Sequence, residues 1–516
     1  MNFKLGFIFD KLIFLFSLLI IFFFFYKSIN VFSHIYDGGH HGSIFLNGLE
    51  ILNGKVPYKE IFLQYGYLNA LINSITIYFF NYDIIAIYFN TALFYFLSIF
   101  FLALTSKSFT NIYGYIIALI ILLFNHPLPE YPWPNYSAFF FLVLAFYIFK
   151  VDSNNSLFFA GFLMALSCLC RENFYYFIIP SLILFNIIIY FYIKDKNKNI
   201  FLSLGFVSPI CVFFIYLIFN GIFFDWFNFQ KLPYLYLDRY NASFLELFTN
   251  FILFFLGDVI FNIINQPQYI VILIILLFNL FILIEELLIR KRPNIKIVFI
   301  SIICLSSSIV SLNYELFRLY TSVSIGLPLI LYRLGLTKVD DKNVIFLFIL
   351  LFVSLYSIFY FPYGNVNFFK KINIDKSFSS KKIKYFKYQK WENANWDFVS
   401  KINDIDGKIK NNCDIEYVLN LTPDAFVLVI SNLKRIQLSH LFNEHLGRDF
   451  ALLLQNDFQE KVSNEISNNN IYIYSMENNI EILKSSLKNY SIVDTFNVQG
   501  LKGSNVRVYA PNNCSL

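Results

Sequence analysis

Asp37 heads the densest polar block in the apolar part of this chain, Asp37-Gly-Gly-His40-His41-Gly, which is followed by Gly54-Lys-Val-Pro57-Tyr58 and Gln64-Tyr65-Gly66. A carboxylate here has two readings that are compatible with each other. It can cap the helix that follows, accepting N–H bonds from the first turn for about 1 kcal/mol. It can also serve as a general base toward a hydroxyl brought beside it. Asp37, His40 and His41 stand at i, i+3 and i+4, a spacing that shares a helix face and could ligate a divalent ion, although adjacent histidines more often donate to substrate or backbone. Two guanidinium groups lie at the ends of apolar runs: Arg171 in Cys170-Arg-Glu172-Asn173, and Arg318 in Asn313-Tyr-Glu-Leu-Phe-Arg318. Each can fork onto phosphate oxygens. The plainer alternatives for Arg171 are a local pair with Glu172 or snorkelling toward water. The run from His126 to Asn135 carries four prolines and Glu130, so it is rigid and non-helical.

The elements that hold these residues follow from composition. With 516 residues, 57% hydrophobic and 14% charged, the chain far exceeds the apolar share of a soluble domain, which predicts a polytopic α-helical membrane protein. Apolar runs of about twenty residues recur from Leu12 to Phe361, each able to cross a hydrocarbon core of roughly 30 Å. The first follows Lys4 and Lys11 and lacks a small-residue cleavage site, so it is predicted to remain as an anchor. Lys107, Lys150, Lys194 to Lys198, Arg290 to Lys296 and Arg333 to Lys342 fall in short connections and are predicted to be cytoplasmic. They alternate correctly if the segments 68–80 and 248–264 lie along the opposite surface without crossing. About eleven transmembrane helices result: 12–30, 84–104, 112–125, 136–149, 157–170, 174–193, 200–219, 269–289, 297–312, 318–335 and 344–361. Asp37, Glu130, Arg171 and Arg318 then share the exterior face.

After Tyr363 the chain becomes charged and mixed. Residues 1–363 are therefore predicted as the membrane domain and 364–516 as an extracytoplasmic α/β domain. Helical patterns near Asn393 to Lys410, Asp449 to Ile466 and Glu477 to Tyr490 alternate with strand-like runs Ile415 to Leu421, Ile471 to Tyr474, Ser491 to Val498 and Val506 to Tyr509. Cys413 and Cys514 bracket this domain and could pair in an oxidising compartment. Cys168, Cys170, Cys211 and Cys304 lie in the spans and read as small apolar packing residues.

In the first polar block a helix is predicted from His40 to Asn53, with Ile44, Leu49, Ile51 and Leu52 as an apolar stripe laid on the membrane surface and Gly54 as its stop. The order of features resembles the GT-C superfamily of membrane glycosyltransferases, in particular the bacterial relatives of protein O-mannosyltransferases and aminoarabinose transferases, a family-39-like type. Asp37, Gly54, Pro57, Tyr58, Tyr65 and Gly66 match the family's acidic motif, surface helix, glycine and Pro-Tyr turn, and 68–80 corresponds to its second surface helix. The resemblance covers roughly residues 1–361. It departs at Gly38, where many relatives carry a second acidic residue, and this weakens any transfer of a metal role.

The resemblance implies an inverting glycosyltransferase of the cell envelope, in a bacterial inner membrane, with its active site on the exterior side. The donor would be a polyprenyl-phosphate sugar and the acceptor a lipid-linked glycan or a protein. Such a donor brings its own leaving group, so one carboxylate suffices where a glycosidase needs two. Asp37 would be the base, its pKa raised by partial burial. Arg171 and Arg318 would hold the donor phosphate, and His40, His41, Tyr58, Tyr65, Glu130 and Glu172 would contact substrate. No cofactor, resident metal or nucleic-acid partner is expected; surrounding membrane lipids are. A lipid-linked glycan polymerase or ligase, and a non-catalytic lipid-glycan flippase, are the alternatives. A flippase should show charged or glycine-broken spans at mid-membrane and a repeated hydropathy pattern, neither of which is evident.

Overall fold

A computed structural model describes residues 2–63, 65–125, 129, 131–192, 197–230, 268–290, 293–308, 316–335, 351–352, 383–431, 433–436, 458–476, 487–497 and 505–514. The apolar half opens with α1 (Asn2–Phe32), the loop helices α2 (His40–Leu52) and α3 (Tyr67–Phe79), then α4 (Ile85–Phe109) and α5 (Ile112–Asn125). It continues through α6 (Asn135–Ile148), α7 (Asn154–Cys170), α8 (Tyr175–Tyr192), α9 (Asn197–Phe219) and α10 (Phe223–Phe229). Further along come α11 (Gln268–Ile284), α12 (Ile295–Ser307), α13 (Leu316–Val323) and α14 (Leu327–Arg333).

Among the described residues, five helices are long and apolar enough to cross a membrane: 10–32, 85–109, 172–192, 200–219 and 268–289. Shorter apolar helices cover 112–125, 135–148, 154–170 and 295–307. The segment expected to run unbroken over 318–335 is helical from Leu316 to Arg333, with one tighter 3-10 turn at Ser324–Gly326 between α13 and α14. Pro328 lies just inside α14, where its missing N–H costs no helical bond. Apart from residues 351 and 352, the expected span 344–361 lies outside the described residues, as does 248–264.

One end of the bundle is tied by charge. Arg290 bonds Glu286 at 2.9 Å, and Arg333 reaches Glu285 at 3.0 Å, joining the ends of the α11 and α14 segments. Arg318 belongs to the start of the α13–α14 run, so it lies toward the opposite end of the bundle from Arg333.

The C-terminal part contains α15 (Asn393–Asn412), β1 (Tyr417–Leu421), α16 (Phe426–Ile430), β2 (Lys434–Arg435), α17 (Phe458–Ser467), β3 (Ile471–Met476), β4 (Tyr490–Asn497) and β5 (Asn505–Pro511). These strands form one sheet in the order β2-β1-β3-β5-β4. β1 runs parallel to β2 and β3, while β5 is antiparallel to β3 and β4. The helix expected over Glu477 to Tyr490 falls mostly outside the described residues, and Tyr490 already belongs to β4. Cys413 and Cys514 are joined by a disulfide across a sequence separation of 101. A loop of that length corresponds to about 4 to 5 kcal/mol of unfolded-chain entropy in the chain-closure picture.

The structure packs α2 against other parts of the protein. His41 through Glu50 are all buried, because the helix is apolar around more of its circumference than the Ile44–Leu49 stripe, with Phe45 and Leu46 on further faces. Phe32, Ile44, Phe45 and Tyr88 share one core with Trp391, Trp396, Phe426 and Tyr472 of the C-terminal part. Backbone groups stitch the seam: Lys390 N–H donates to Ser33 O at 2.8 Å, Ile84 N–H to Tyr385 O at 3.0 Å, and the Trp391 indole N–H to Ile35 O at 3.0 Å. Arg435 pairs with the buried Glu50 and donates to Glu60 O at 2.8 Å.

Candidate active site

The turn between α1 and α2 shapes the Asp37 carboxylate. Its Oδ1 accepts the His40 backbone N–H at 2.8 Å, and its Oδ2 lies 2.8 Å from His40 Nδ1. The Asp37 carbonyl also accepts the N–H groups of His41 and Gly42, at 3.1 and 3.2 Å. Asp37 therefore caps the helix start and holds an imidazole as well. Burial pushes its pKa up, but the His40 hydrogen bond and the charges of His41 and His40 outweigh that and bring it down to about 2. The expected upward shift is thus corrected: counting burial alone left out hydrogen bonds to the ionised form. A carboxylate this acidic has given up much of its own basicity.

The adjacent histidines part company. His40 is half exposed, its ring 5.2 Å from that of Tyr131 and 5.1 Å from that of Trp133. His41 is fully buried, its Nδ1 3.0 Å from the Tyr88 hydroxyl and its ring edge-on to Phe32. Asp37, His40 and His41 consequently do not present one common set of ligating atoms. The i, i+4 face assumed from spacing fails because Asp37 lies in the turn ahead of the helix.

Trp133 joins most of the remaining residues. Its ring lies 5.4 Å from Tyr65 and 5.9 Å from Phe317, stacked on the latter with 14° between planes. Arg318 sits 5.7 Å above the Trp133 centroid and 5.5 Å from that of Phe317. Arg171, at the end of α7, lies over Tyr65 with its guanidinium carbon 4.5 Å from the ring centroid, and its buried Nε has no hydrogen-bond partner among the described residues. Such stacking suits a guanidinium out of water. Burial lowers the Arg171 pKa; Tyr65 works against this and the charge of Arg318 adds to it. The two cations are thus within electrostatic reach of each other.

Asp37, His40, Tyr65, Arg171 and Arg318 are therefore gathered by way of Trp133. Glu172 opens the turn after Arg171 and interacts electrostatically with it. Tyr58 stands apart from the Trp133 rings, buried against Phe229 at 5.5 Å and feeling Glu172 only through charge. Glu130 lies outside the described residues. Two participants were missed by sequence reasoning. Trp133 was signalled only by its place in Tyr131-Pro-Trp133-Pro. The other is Asp424, whose Oδ2 accepts the Tyr36 hydroxyl at 2.5 Å and whose Oδ1 accepts Phe426 N–H at 2.8 Å. Asp424 lies against Gly38, where a Cβ would sit 1.9 Å from its Oδ1, so only glycine admits this approach.

No protein-family model and no curated protein matches the chain. Among solved structures, ArnT from Cupriavidus metallidurans bound to undecaprenyl phosphate is similar at 11% identity over 96% of this chain and 97% of that one, with a TM-score of 0.45. The same enzyme in the apo state gives 11% identity, coverage of 97% and 98%, and a TM-score of 0.46. The Archaeoglobus fulgidus oligosaccharyltransferase in complex with Zn and sulfate gives 11% identity, coverage of 95% and 73%, and a TM-score of 0.48.

Proposed function

We propose that this chain is a GT-C-type inverting glycosyltransferase that moves a sugar from a polyprenyl-phosphate donor to a hydroxyl acceptor, a lipid-linked glycan or a protein, at the exterior face of a bacterial plasma membrane. The observation that carries the reading is the convergence of Arg171 and Arg318, from separate helices, on an aromatic platform whose central ring also touches His40. Two like charges brought together in a partly dry site repel each other. A bound phosphate would turn that repulsion into charge-assisted hydrogen bonding.

The sugar's anomeric carbon would lie between this phosphate site and the Asp37–His40 pair. As its bond to phosphate lengthens, the carbon gains positive character and the phosphate oxygen gains negative charge, which the guanidinium groups stabilise. The acceptor oxygen attacks from the face opposite the phosphate, which inverts the configuration. Its proton passes toward the Asp37–His40 pair. The C-terminal part, packed on α2, would cover the cleft on its open side.

The test begins with binding. Native mass spectrometry of the full chain in detergent, titrated with polyprenyl phosphate and with uncharged polyprenol, should show preference for the phosphate. Arg171→Gln and Arg318→Gln should each weaken phosphate binding about 10- to 100-fold, the range of a lost charge-assisted contact. Equal affinity for polyprenol and polyprenyl phosphate in the unsubstituted chain would overturn the reading.

A further inference from the structure

Both oxygens of Asp37 are occupied by one residue, His40: one by its backbone N–H and the other by its ring. An ionised carboxylate has no proton to give, so the 2.8 Å contact requires His40 Nδ1 to carry the hydrogen. In the neutral imidazole this makes Nε2 the basic nitrogen. The ring itself is half exposed and lies against Tyr131 and Trp133, between the carboxylate and the aromatic platform under Arg318.

Resting on the transferase reading above, we infer that His40 is the catalytic base of the transfer and that Asp37 is a positioning residue that orients the imidazole and stabilises its cation. In the step, the acceptor hydroxyl proton goes to His40 Nε2 while an oxygen lone pair forms the new bond to the anomeric carbon. The carbon–phosphate oxygen bond breaks and its electron pair leaves on the phosphate, beside Arg171 and Arg318. The imidazolium then stands hydrogen-bonded to the Asp37 carboxylate, an arrangement that lowers the cost of forming it. The carboxylate's acidity, a weakness in a proton acceptor, is the right property in a counter-ion.

The groups that set the pH response of His40 are Asp37 on its own turn, His41 beside it, Tyr131 against its ring and Arg318 across Trp133. The test uses the full chain in membranes, with radiolabelled polyprenyl-phosphate monosaccharides and release of polyprenyl phosphate as the readout. His40→Asn keeps a donor near the Nδ1 position and removes the base. It should lower kcat by about 10²- to 10⁴-fold, leave the KM for donor within about threefold, and abolish the acid limb of the rate–pH profile. Asp37→Asn should shift that limb to lower pH, because the carboxylate no longer favours the charged ring. If Asp37 took the proton directly, His40→Asn would keep kcat within about threefold of the unsubstituted chain, which overturns the inference and leaves the transferase reading standing. Absence of release by the unsubstituted chain, together with absence of polyprenyl phosphate binding, overturns both.

Discussion

Asp37 precedes Gly38 in the turn after α1, Asp424 packs against Gly38 from the loop before α16, and the fold treats the two carboxylates in opposite ways. Asp37 keeps a path to solvent, takes both hydrogen bonds from His40, and is driven down to about 2. Asp424 is buried, and desolvation raises it to about 6; bonds from Tyr36 and Phe426 N–H pull the other way, and the charge of Asp37 adds to the rise. The side-chain chemistry is identical, so the contrast comes from solvation and donors. One carboxylate is prepared to face a cation, the other to hold a proton at a seam. The open side of the turn carries the chemistry, and the covered side carries the docking of the C-terminal part.

The sharpest way to break this comparison is to remove each charge in turn. Asp37→Asn should lower polyprenyl phosphate release by at least about 100-fold, whereas Asp424→Asn, measured near pH 6, should stay within about threefold of the unsubstituted chain. Equal losses would show that the two carboxylates act as one unit and that the division between chemistry and docking is wrong.

The second prediction concerns pH. Asp424 and Asp83, which accepts Lys387 N–H across the same seam, both have folded pKa values raised to about 6, in each case chiefly by burial. A raised carboxyl pKa means that protonation favours the docked state. The contribution is complete below the free carboxylate value near 4 and is lost as pH rises through about 6. For Asp424 alone the change is on the order of 3 kcal/mol. Limited proteolysis of the C-terminal part should therefore accelerate between about pH 4 and 6 and level off above that, and Asp424→Asn should flatten the trend. Faster cleavage at low pH would reverse the sign and sink the assignment.

How much of this arrangement the sequence carried differs between its two sides. The helix from His40 and its stop at Gly54 were legible, since apolar spacing and a glycine are local signals, and α2 ends at Leu52. Its burial was not, because a stripe facing lipid and a stripe facing a docked domain are written with the same residues. Asp37, Tyr65, Arg171 and Arg318 could be picked by type and position, yet nothing local says that they meet around Trp133; that follows from how α7, α13 and the loop before α6 converge. Asp424 was invisible for the same reason. It reads as one carboxylate among many in a charged segment until Gly38 is packed against it.

A smaller perturbation tests the contact itself. Gly38→Ala places a methyl group where Asp424 Oδ1 now lies, so either the carboxylate or the turn must move. The Gly38 carbonyl also accepts Ala425 N–H at 2.9 Å, which leaves the backbone little room to yield. The expected cost is about 1 to 3 kcal/mol of docking, in the range of overpacking. Proteolysis should reveal it at constant pH, with release activity falling only in proportion to the undocked fraction. Loss of activity in a chain that remains docked would mean that the methyl group had disturbed Asp37 instead.

Tyr36→Phe is the gentlest probe, and it separates the hydrogen bond from the packing. The ring lies edge-on to Trp391, 5.0 Å away, and 5.4 Å from Phe426, contacts that phenylalanine keeps. Only the hydroxyl donor to Asp424 is lost. That bond holds the Asp424 pKa down against burial, so its removal should carry the midpoint of the docking transition above its present position near 6. Stability at low pH should fall by about 1 kcal/mol, since a protonated carboxyl loses only a neutral partner, and by more at high pH, where a buried charge loses a donor. The substitution should thus steepen the pH trend that Asp424→Asn flattens. A double variant carrying both changes should show no more pH dependence than Asp424→Asn alone; any excess would locate the titrating group elsewhere on the seam, with Asp83 the first to examine.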